Sequence, residues 1–381
     1  MRTFYFVGGL MKKEKVLVFE LGSSALRAML AGRGLNNTFV VKAYKEIAYD
    51  GFYEGKFLEP EKLTTIFSQV ISEFDCKEED TKKVFIGVPA EFSSVSTTTV
   101  SLNLGNRRKV KQQDIDELFY MASEKAKDRN VEILSVSALS YLLDEGRASI
   151  DPVGENAISI SANLSIIYAN RTFIELFNKI VSANEFESVE YISEPLAQAL
   201  YVVSKEEREE PCLIIDVGDL TTSASFVKGE GLSNMASFSR GGGFITNDLS
   251  EAFDLTISEA ERLKAQIILS LKGRSNDYYD LTTDLGKTIK IPLSSANEIV
   301  SFRIEEIAQA VSKCVQLFSK SYINYLPVYL TGAGISKIKG GRDFLAKCLG
   351  RNVKYGVPPL PAKDKPELAS IYSLVSSALG Q

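Results

Sequence analysis

Short apolar runs recur along the chain, each closing in a polar or glycine-containing turn. Between them lie segments whose apolar residues return every three or four positions. The first pattern reads as buried strands and the second as amphipathic helices. Residues 16–19 predict a buried strand, with further strands at 25–30 and 38–44. Leu63, Ile66, Phe67, Val70, Ile71 and Phe74 fall at helical spacing and predict a helix over 59–74. Residues 83–89 read as another buried strand that breaks at Pro89. This β-β-β-α-β order predicts a mixed sheet covered by helices.

The pattern then changes. Residues 93–101 are rich in Ser, Thr and Val, as an alternating strand would be; 111–130 read as a charged helix whose acidic first turn begins at Asp114, and strands follow at 131–141 and 157–168. Residues 85–168 therefore read as a small α/β subdomain inserted into the first domain, and the basic run 106–111 as a solvated turn. A helix at 172–183 and a strand at 189–192 lead to Ser193-Glu-Pro-Leu-Ala, a helix start with Pro195 in its first turn. The charged stretch 206–210 marks the crossing into a second half. There, 213–216 and 222–226 predict a hairpin around Gly218, followed by a helix at 258–271, a loop-rich outer segment at 272–292, a long helix at 296–323, a strand at 328–330 and helices at 342–349 and 367–378.

Three of the strand-turns share one design: the runs ending Glu20-Leu-Gly-Ser-Ser24, Asp216-Val-Gly-Asp-Leu-Thr-Thr222 and Leu330-Thr-Gly-Ala-Gly334. Their recurrence points to two duplicated halves closing on a nucleotide, the first two turns on its phosphates and the third on its adenosine side. Backbone N–H groups in a tight turn bind phosphate because they carry positive partial charge at small size. Gly22, Ser23 and Ser24 supply that chemistry in the first turn, and Gly218, Thr221 and Thr222 in the second. Glu20 and Asp216, at the strand ends, could hold Mg²⁺ through its waters.

Composition narrows the chemistry. The 381 residues are 45% hydrophobic, enough for full cores in roughly two to four domains. There is no histidine, which removes Ser-His-Asp and Cys-His catalysis and His-ligated metals. Cys76, Cys212, Cys314 and Cys348 are scattered and read as buried thiols of a reducing compartment. With 49 acidic against 44 basic residues, the balance argues against a dedicated nucleic-acid binder. No apolar stretch approaches the roughly 20 residues of a membrane span. Residues 1–10 make a poor signal peptide and read as an extension outside the fold.

The arrangement resembles the actin-like ATPase superfamily and, within it, the bacterial cell-division FtsA family. The likeness covers most of 11–381. It is carried by Tyr141-Leu-Leu-Asp144 with Asp151-Pro-Val-Gly154, Arg240-Gly-Gly-Gly-Phe-Ile-Thr246-Asn-Asp248, Ala260-Glu261 with Lys264, Arg303-Ile-Glu-Glu306, Leu330-Thr-Gly-Ala-Gly334 and Tyr355-Gly-Val-Pro358, in that order. It implies an α/β, two-lobed actin-like ATPase fold with an inserted small subdomain in the first lobe. The implied division is a first lobe (1A) at 11–84 and 169–208, an inserted subdomain (1C) at 85–168, a second lobe (2A) at 209–243 and 300–358, an outer subdomain (2B) at 244–299, and a segment 359–381 returning to the first lobe.

The resemblance also implies roles. Gly242 and Gly243 belong to a nucleotide-facing glycine pair, Glu261 and Lys264 contact ribose and base, and Gly332 and Gly334 pack against adenine. Glu194 matches the place where filament-forming relatives position the attacking water; the same carboxylate also suits a helix first turn, where it acts through the dipole. The implied cofactors are ATP and Mg²⁺. The implied partners are further copies of the chain in a filament, the tail of the tubulin homologue FtsZ at about 244–299, and division proteins at 85–168, with no nucleic acid. The implied location is the cytoplasmic face of the membrane at the division site.

The sequence departs from the family pattern at three places. Glu20 stands where Asp is usual, and Asp219 and Leu220 stand where the second turn usually has Gly. A carboxylate at 219 would repel phosphates and Leu220 makes positive φ costly, so hydrolysis is expected to be weak at most. The last helix has no basic face, so membrane attachment is expected through an absent anchor or a partner. The alternative expectation is a nucleotide-regulated relative, of the pilus-assembly or scaffold type, that does not polymerise. A sugar-type phosphotransferase lacks a convincing catalytic Asp.

Overall fold

The computed structural model describes residues 15–35, 38–74, 83–126, 131–144, 146–271, 276–318, 326–360 and 365–380. Residues 1–10, Cys76 and the expected helix ends at 130 and 323 lie outside them. The chain divides into two compact units, one of residues 1–212, 225–235 and 370–381 and one of 213–224 and 236–369.

The first unit opens with the hairpin β1 (Lys15–Leu21) and β2 (Ala25–Arg33), followed by β3 (Phe39–Ala48) and the short pair β4 (Phe52–Tyr53) and β5 (Lys56–Phe57). Helix α1 (Pro60–Glu73) starts on a proline, whose missing N–H costs nothing at a helix start, and buries Leu63, Phe67 and Val70. Strand β6 (Lys83–Val88) pairs parallel to β1. The inserted region is β7 (Ser93–Lys109), α2 (Gln112–Lys125), β8 (Val131–Leu143), β9 (Arg147–Ser149) and β10 (Asn156–Asn170). Helix α3 (Arg171–Ala183), capped by Asn170, then β11 (Ser188–Ser193) and α4 (Glu194–Val202), return to the first sheet, whose order is β11-β6-β1-β2-β3.

Its core is aromatic. Phe19 stacks on Phe67 at 4.0 Å, Phe57 on Phe92 at 4.9 Å, and Phe173 meets Phe177 at 4.6 Å. The inserted sheet, ordered β7-β10-β8-β9, has its own core around Leu118, Val136, Ile160 and Leu164. Of the basic run 106–111, expected to be a solvated turn, residues 106–109 are instead the end of β7. Arg108 forks onto Asp114 at 2.8 and 2.8 Å, and Asp114 also accepts the Lys111 N–H at 2.7 Å. That hydrogen-bonded guanidinium holds the Asp114 carboxyl below its ordinary pKa.

A further five-stranded sheet is ordered β14-β13-β12-β17-β18, from β12 (Cys212–Val217), β13 (Thr222–Lys228), β14 (Gly231–Phe238), β17 (Val328–Thr331) and β18 (Val353–Tyr355); its residues 225–235 count with the first unit and most of the rest with the second. Strands β12, β17 and β18 run parallel. Helices α5 (Gly242–Phe253), α6 (Ile257–Gln266), α7 (Leu293–Phe318) and α8 (Gly341–Leu349) complete it with the hairpin β15 (Tyr278–Thr282) and β16 (Thr288–Pro292). That hairpin corrects the loop-rich expectation for 272–292: Tyr279 and Leu281 are buried at alternate positions and Gly286 turns the chain at φ 77°. Thr256 and Glu259 close a capping box on α6, and Glu259 also accepts the Asp284 N–H at 2.7 Å, tying helix to hairpin.

The last helix, α9 (Ala369–Leu379), belongs from Ser370 onward to the first unit. Tyr372 meets Phe39 edge-on at 5.4 Å, and Arg33 donates to the carbonyl of Leu379. Among the described residues no helix is long and apolar enough to cross a membrane.

Candidate functional site

In the second unit three glycine turns meet main chain to main chain. The Gly242 N–H donates to the Gly218 carbonyl at 2.9 Å, Gly243 to Asp219 at 2.7 Å and Gly334 to Val217 at 2.8 Å. A Cβ on Gly242 would stand 2.4 Å from Gly334 Cα, and one on Gly334 would stand 2.4 Å from the Gly218 oxygen. Only glycine permits this approach. Gly332 adds a positive φ of 80°, and its N–H donates to Pro366 at 3.2 Å. The structure brings the second-unit residues Asp216, Gly218, Thr221, Gly242, Gly243, Gly332 and Gly334 together.

Their chemistry differs from the expectation. The N–H groups of Gly218, Gly242, Gly243, Gly332 and Gly334 all bond to carbonyls inside the protein, as does that of Gly22 to Ala25 at 2.9 Å. The glycines permit close packing and do not leave a row of free donors. Thr222 is fully buried and its hydroxyl donates to the Arg240 carbonyl, so it anchors β13 instead of facing outward. Asp216 accepts from the Thr331 hydroxyl at 2.9 Å.

Beside this cluster lies a polar network on α5 and α6. Lys264 Nζ, almost fully buried, donates to the Gly242 carbonyl at 3.2 Å, to Thr246 Oγ1 at 2.7 Å and to Glu261 Oε1 at 2.7 Å. Thr246 donates to the same carboxylate oxygen. Glu261 stays half-exposed, its side chain 48% accessible, so a carboxylate acceptor is fixed in position and reachable. Further along, Arg303 bonds Asp248 and Glu306, linking α5 to α7.

In the first unit the turn Gly22–Ser24 joins β1 to β2. Tyr49 grips it twice, its N–H on Ser24 O at 3.1 Å and its hydroxyl on Gly22 O at 2.8 Å. Gly51, at φ 58°, comes so close to the Ser23 carbonyl that a Cβ would stand 1.8 Å away. Glu20 is 5% exposed and both its oxygens meet Arg27 Nη1, at 2.9 and 3.2 Å. That carboxylate raises the Arg27 pKa. Glu194 opens α4, whose N-cap is Ser193, and its Oε1 accepts the Leu21 N–H at 3.4 Å. Burial, then the charges of Glu194 and Glu20, push the Tyr49 hydroxyl pKa up.

Tyr49, Gly51, Arg27, Thr331 and Thr246 thus shape the turns without having been assigned a role there. For Arg27 a signal existed: across the β1–β2 hairpin it sits directly opposite Glu20. Among the described residues no three His, Cys, Asp or Glu side chains gather as a metal site. The arrangement fits an adenosine, offered a fixed carboxylate and a close-packed glycine floor. In the first unit, Glu20 would have to share Arg27 to serve a cation.

The model described as "Cell division protein FtsA" matches residues 213–373, and "SHS2 domain inserted in FTSA" matches 93–168. The cell division protein FtsA of Agrobacterium fabrum is 25% identical over 266 residues, covering 68% of this chain and 60% of its own length. FtsA of Neisseria meningitidis serogroup B is 24% identical over 374 residues, 94% of this chain and 81% of its own. The chain thus spans about three fifths of the Agrobacterium and Rhizobium relatives it matches. Among solved structures, the PilM-PilN type IV pilus biogenesis complex has a TM-score of 0.63 at 17% identity, covering 97% of this chain and 100% of that one. MreB5 of Spiroplasma citri bound to AMPPNP has a TM-score of 0.56 at 11% identity, covering 95% of each. At such identities these likenesses concern the fold. Two family models on separate stretches, and FtsA relatives along most of the chain, agree with the mixed sheets and the inserted subdomain: this is an FtsA-type protein with the actin-like ATPase fold.

Proposed function

We propose that this chain is an ATP-binding cytoskeletal protein of bacterial cell division that assembles head to tail and links a division machine to the membrane. The observation that carries the nucleotide reading is the glycine floor of Gly218, Gly242 and Gly334 beside the fixed, half-exposed Glu261. In this reading Glu261 and Lys264 hold the ribose and base side, Gly332 and Gly334 let adenine approach, and Gly242 and Gly243 give the phosphates room. Ser23, Ser24 and Thr221 supply hydroxyls to the phosphates. Magnesium would stabilise the phosphate charge, held through water by Asp216 and, after sharing Arg27, by Glu20. Glu194 would orient water.

Head-to-tail contacts that do not close generate filaments. The tail of FtsZ is the partner proposed for 244–299, division proteins for 85–168, and the inner face of the membrane at the division site is the proposed location. A second reading, a nucleotide-regulated scaffold that does not polymerise, is favoured by the committed N–H donors and by Asp219 beside Gly243.

Calorimetry with ATP and ADP, with and without magnesium, tests binding. ATP-dependent pelleting of wild type and Asp219→Gly tests assembly. ATP binding with filaments supports the first reading, and binding by a monomer supports the second. No heat with either nucleotide would remove both. Hydrolysis is expected to be weak, and brisk turnover abolished in Glu194→Ala would contradict that.

A further inference from the structure

The charged segment 206–210, where the chain crosses between its two halves, contains one buried cation. Arg208 is 5% exposed. Its guanidinium donates to the carbonyls of Leu200 at 3.2 Å, Val203, and Gly229 at 2.9 Å, and to both oxygens of Glu230 at 3.2 and 3.3 Å. The Gly229 N–H returns a bond to the Arg208 carbonyl at 2.7 Å. Gly229 and Glu230 form the closed end of the hairpin made by β13 and β14, so Arg208 ties that tip to the end of α4. The tip also rests on the inserted sheet. The Glu230 N–H donates to Ala138 O on β8 at 2.8 Å, and the Ser165 hydroxyl on β10 donates to Leu232 O at 2.6 Å. All of these residues count with the first unit.

The open end of the same hairpin belongs to the glycine floor. Strand β13 begins at Thr222, directly after the Gly218 turn, and β14 leads through Arg240 into Gly242 and Gly243. The Thr222 hydroxyl donates to the Arg240 carbonyl and ties the two arms together there. From Thr222 to Lys228 the strand covers about 20 Å. One two-stranded element therefore joins the candidate nucleotide turns to the inserted subdomain.

The seat under the tip is not matched to a single position. Ser135 and Ser137 of β8 are 9% and 4% exposed, and their hydroxyls have no partner. Ser137 Oγ lies against Gly231, where a Cβ would stand 2.7 Å away. A buried hydroxyl without an acceptor is unfavourable, and a carbonyl of a shifted tip would relieve it. Arg208 opposes that shift by holding Gly229 and Glu230 in place.

We propose that the hairpin of β13 and β14 is a lever, clamped by Arg208, that couples the inserted subdomain to the nucleotide turns. Nucleotide settling on Gly218, Gly242 and Gly243 moves the tip along β8, and a protein docked on the inserted subdomain moves the turns in return. The nucleotide half of this statement rests on the function proposed above; the mechanical link does not.

Amide hydrogen exchange of the full chain, read by mass spectrometry, tests the link without nucleotide. Ser165→Ala removes one hydrogen bond at the seat, and Arg208→Gln removes the clamp; if the second variant fails to fold, the first decides. In each, peptides covering 240–248 should exchange about fivefold faster or more, while α1 and the hairpin of β15 and β16 keep wild-type rates. Changes confined to 136–139 and 228–233 overturn the lever. So does a uniform rise that includes α1, which is general loosening. ATP with magnesium is then added, and its binding is followed by calorimetry. Bound ATP should change exchange at 228–233 about fivefold in wild type and leave it unchanged in Ser165→Ala. Heat of binding with an unaltered tip overturns the lever. ATP that gives no heat overturns the nucleotide reading and the switching with it, while the link stands or falls on the first comparison.

Discussion

The strand-turn after β1 and the one after β12 occupy corresponding places in their units, yet they are held differently. The first is gripped by side chains: Tyr49 bonds Gly22, and Arg27 holds Glu20 beneath it, with the main chain of Gly51 close behind. The second rests chiefly on main chain, where Gly218, Gly242 and Gly334 touch without intervening side chains, and Lys264 and Thr222 only brace its rim. The same local shape can rest on charge and hydroxyl or on the absence of a Cβ. The two designs fail under different insults, removal of a group in the first and addition of an atom in the second.

The largest expected effect breaks the first design. Arg27→Gln leaves a 5%-exposed Glu20 without its cation, and urea unfolding of the variant should show a loss of about 3 kcal/mol at neutral pH. Retention of wild-type stability would mean that Glu20 is supported otherwise. The second design answers to Gly334→Ala, whose added methyl would lie 2.4 Å from the Gly218 carbonyl oxygen; overpacking against backbone should cost about 2 kcal/mol in the same assay. Tyr49→Phe removes one 2.8 Å hydrogen bond to Gly22 and should cost about 1 kcal/mol, while a corresponding hydroxyl deletion, Thr221→Val, should cost the second turn less.

The smallest effect concerns the loop that braces the first turn. It continues to Gly55, whose N–H meets Glu91, a residue that burial pushes up to about 7 and whose Oε2 has no partner. A carboxyl with its folded pKa raised binds its proton more tightly in the folded state. It therefore contributes stability below about pH 4.5 that fades as pH rises through about 7. Glu91→Gln should flatten stability across that interval, measured by denaturation at several pH values. An unchanged slope would show Glu91 to be ordinary.

Much of this was legible. Leu63, Phe67 and Val70 carry the helical period of α1, and the turns at Gly22, Gly218 and Gly334 announce themselves between an apolar strand and polar residues. The convergence of Gly242 and Gly334 follows from the family likeness. Tyr49 escaped because its grip depends on how β3 exits toward Gly51, which no period encodes. The run 106–111 looked like a turn because its charges are conspicuous, yet Arg108 has Asp114 within reach and the strand continues to Lys109. The role of the glycines as spacers could not be read either, since a free N–H and a bonded one look identical in sequence.

Helix α9 has a consequence for how the protein is made. Its residues Ile371, Leu374 and Val375 are enclosed in the first unit, whose main run of sequence ends at residue 212. At ribosomal speeds, roughly eight to thirty seconds separate synthesis of that run from synthesis of α9. Throughout that interval the nascent chain carries an unfilled apolar seat beside β2 and β6. The order of the segments thus leaves that seat open until the chain is nearly complete.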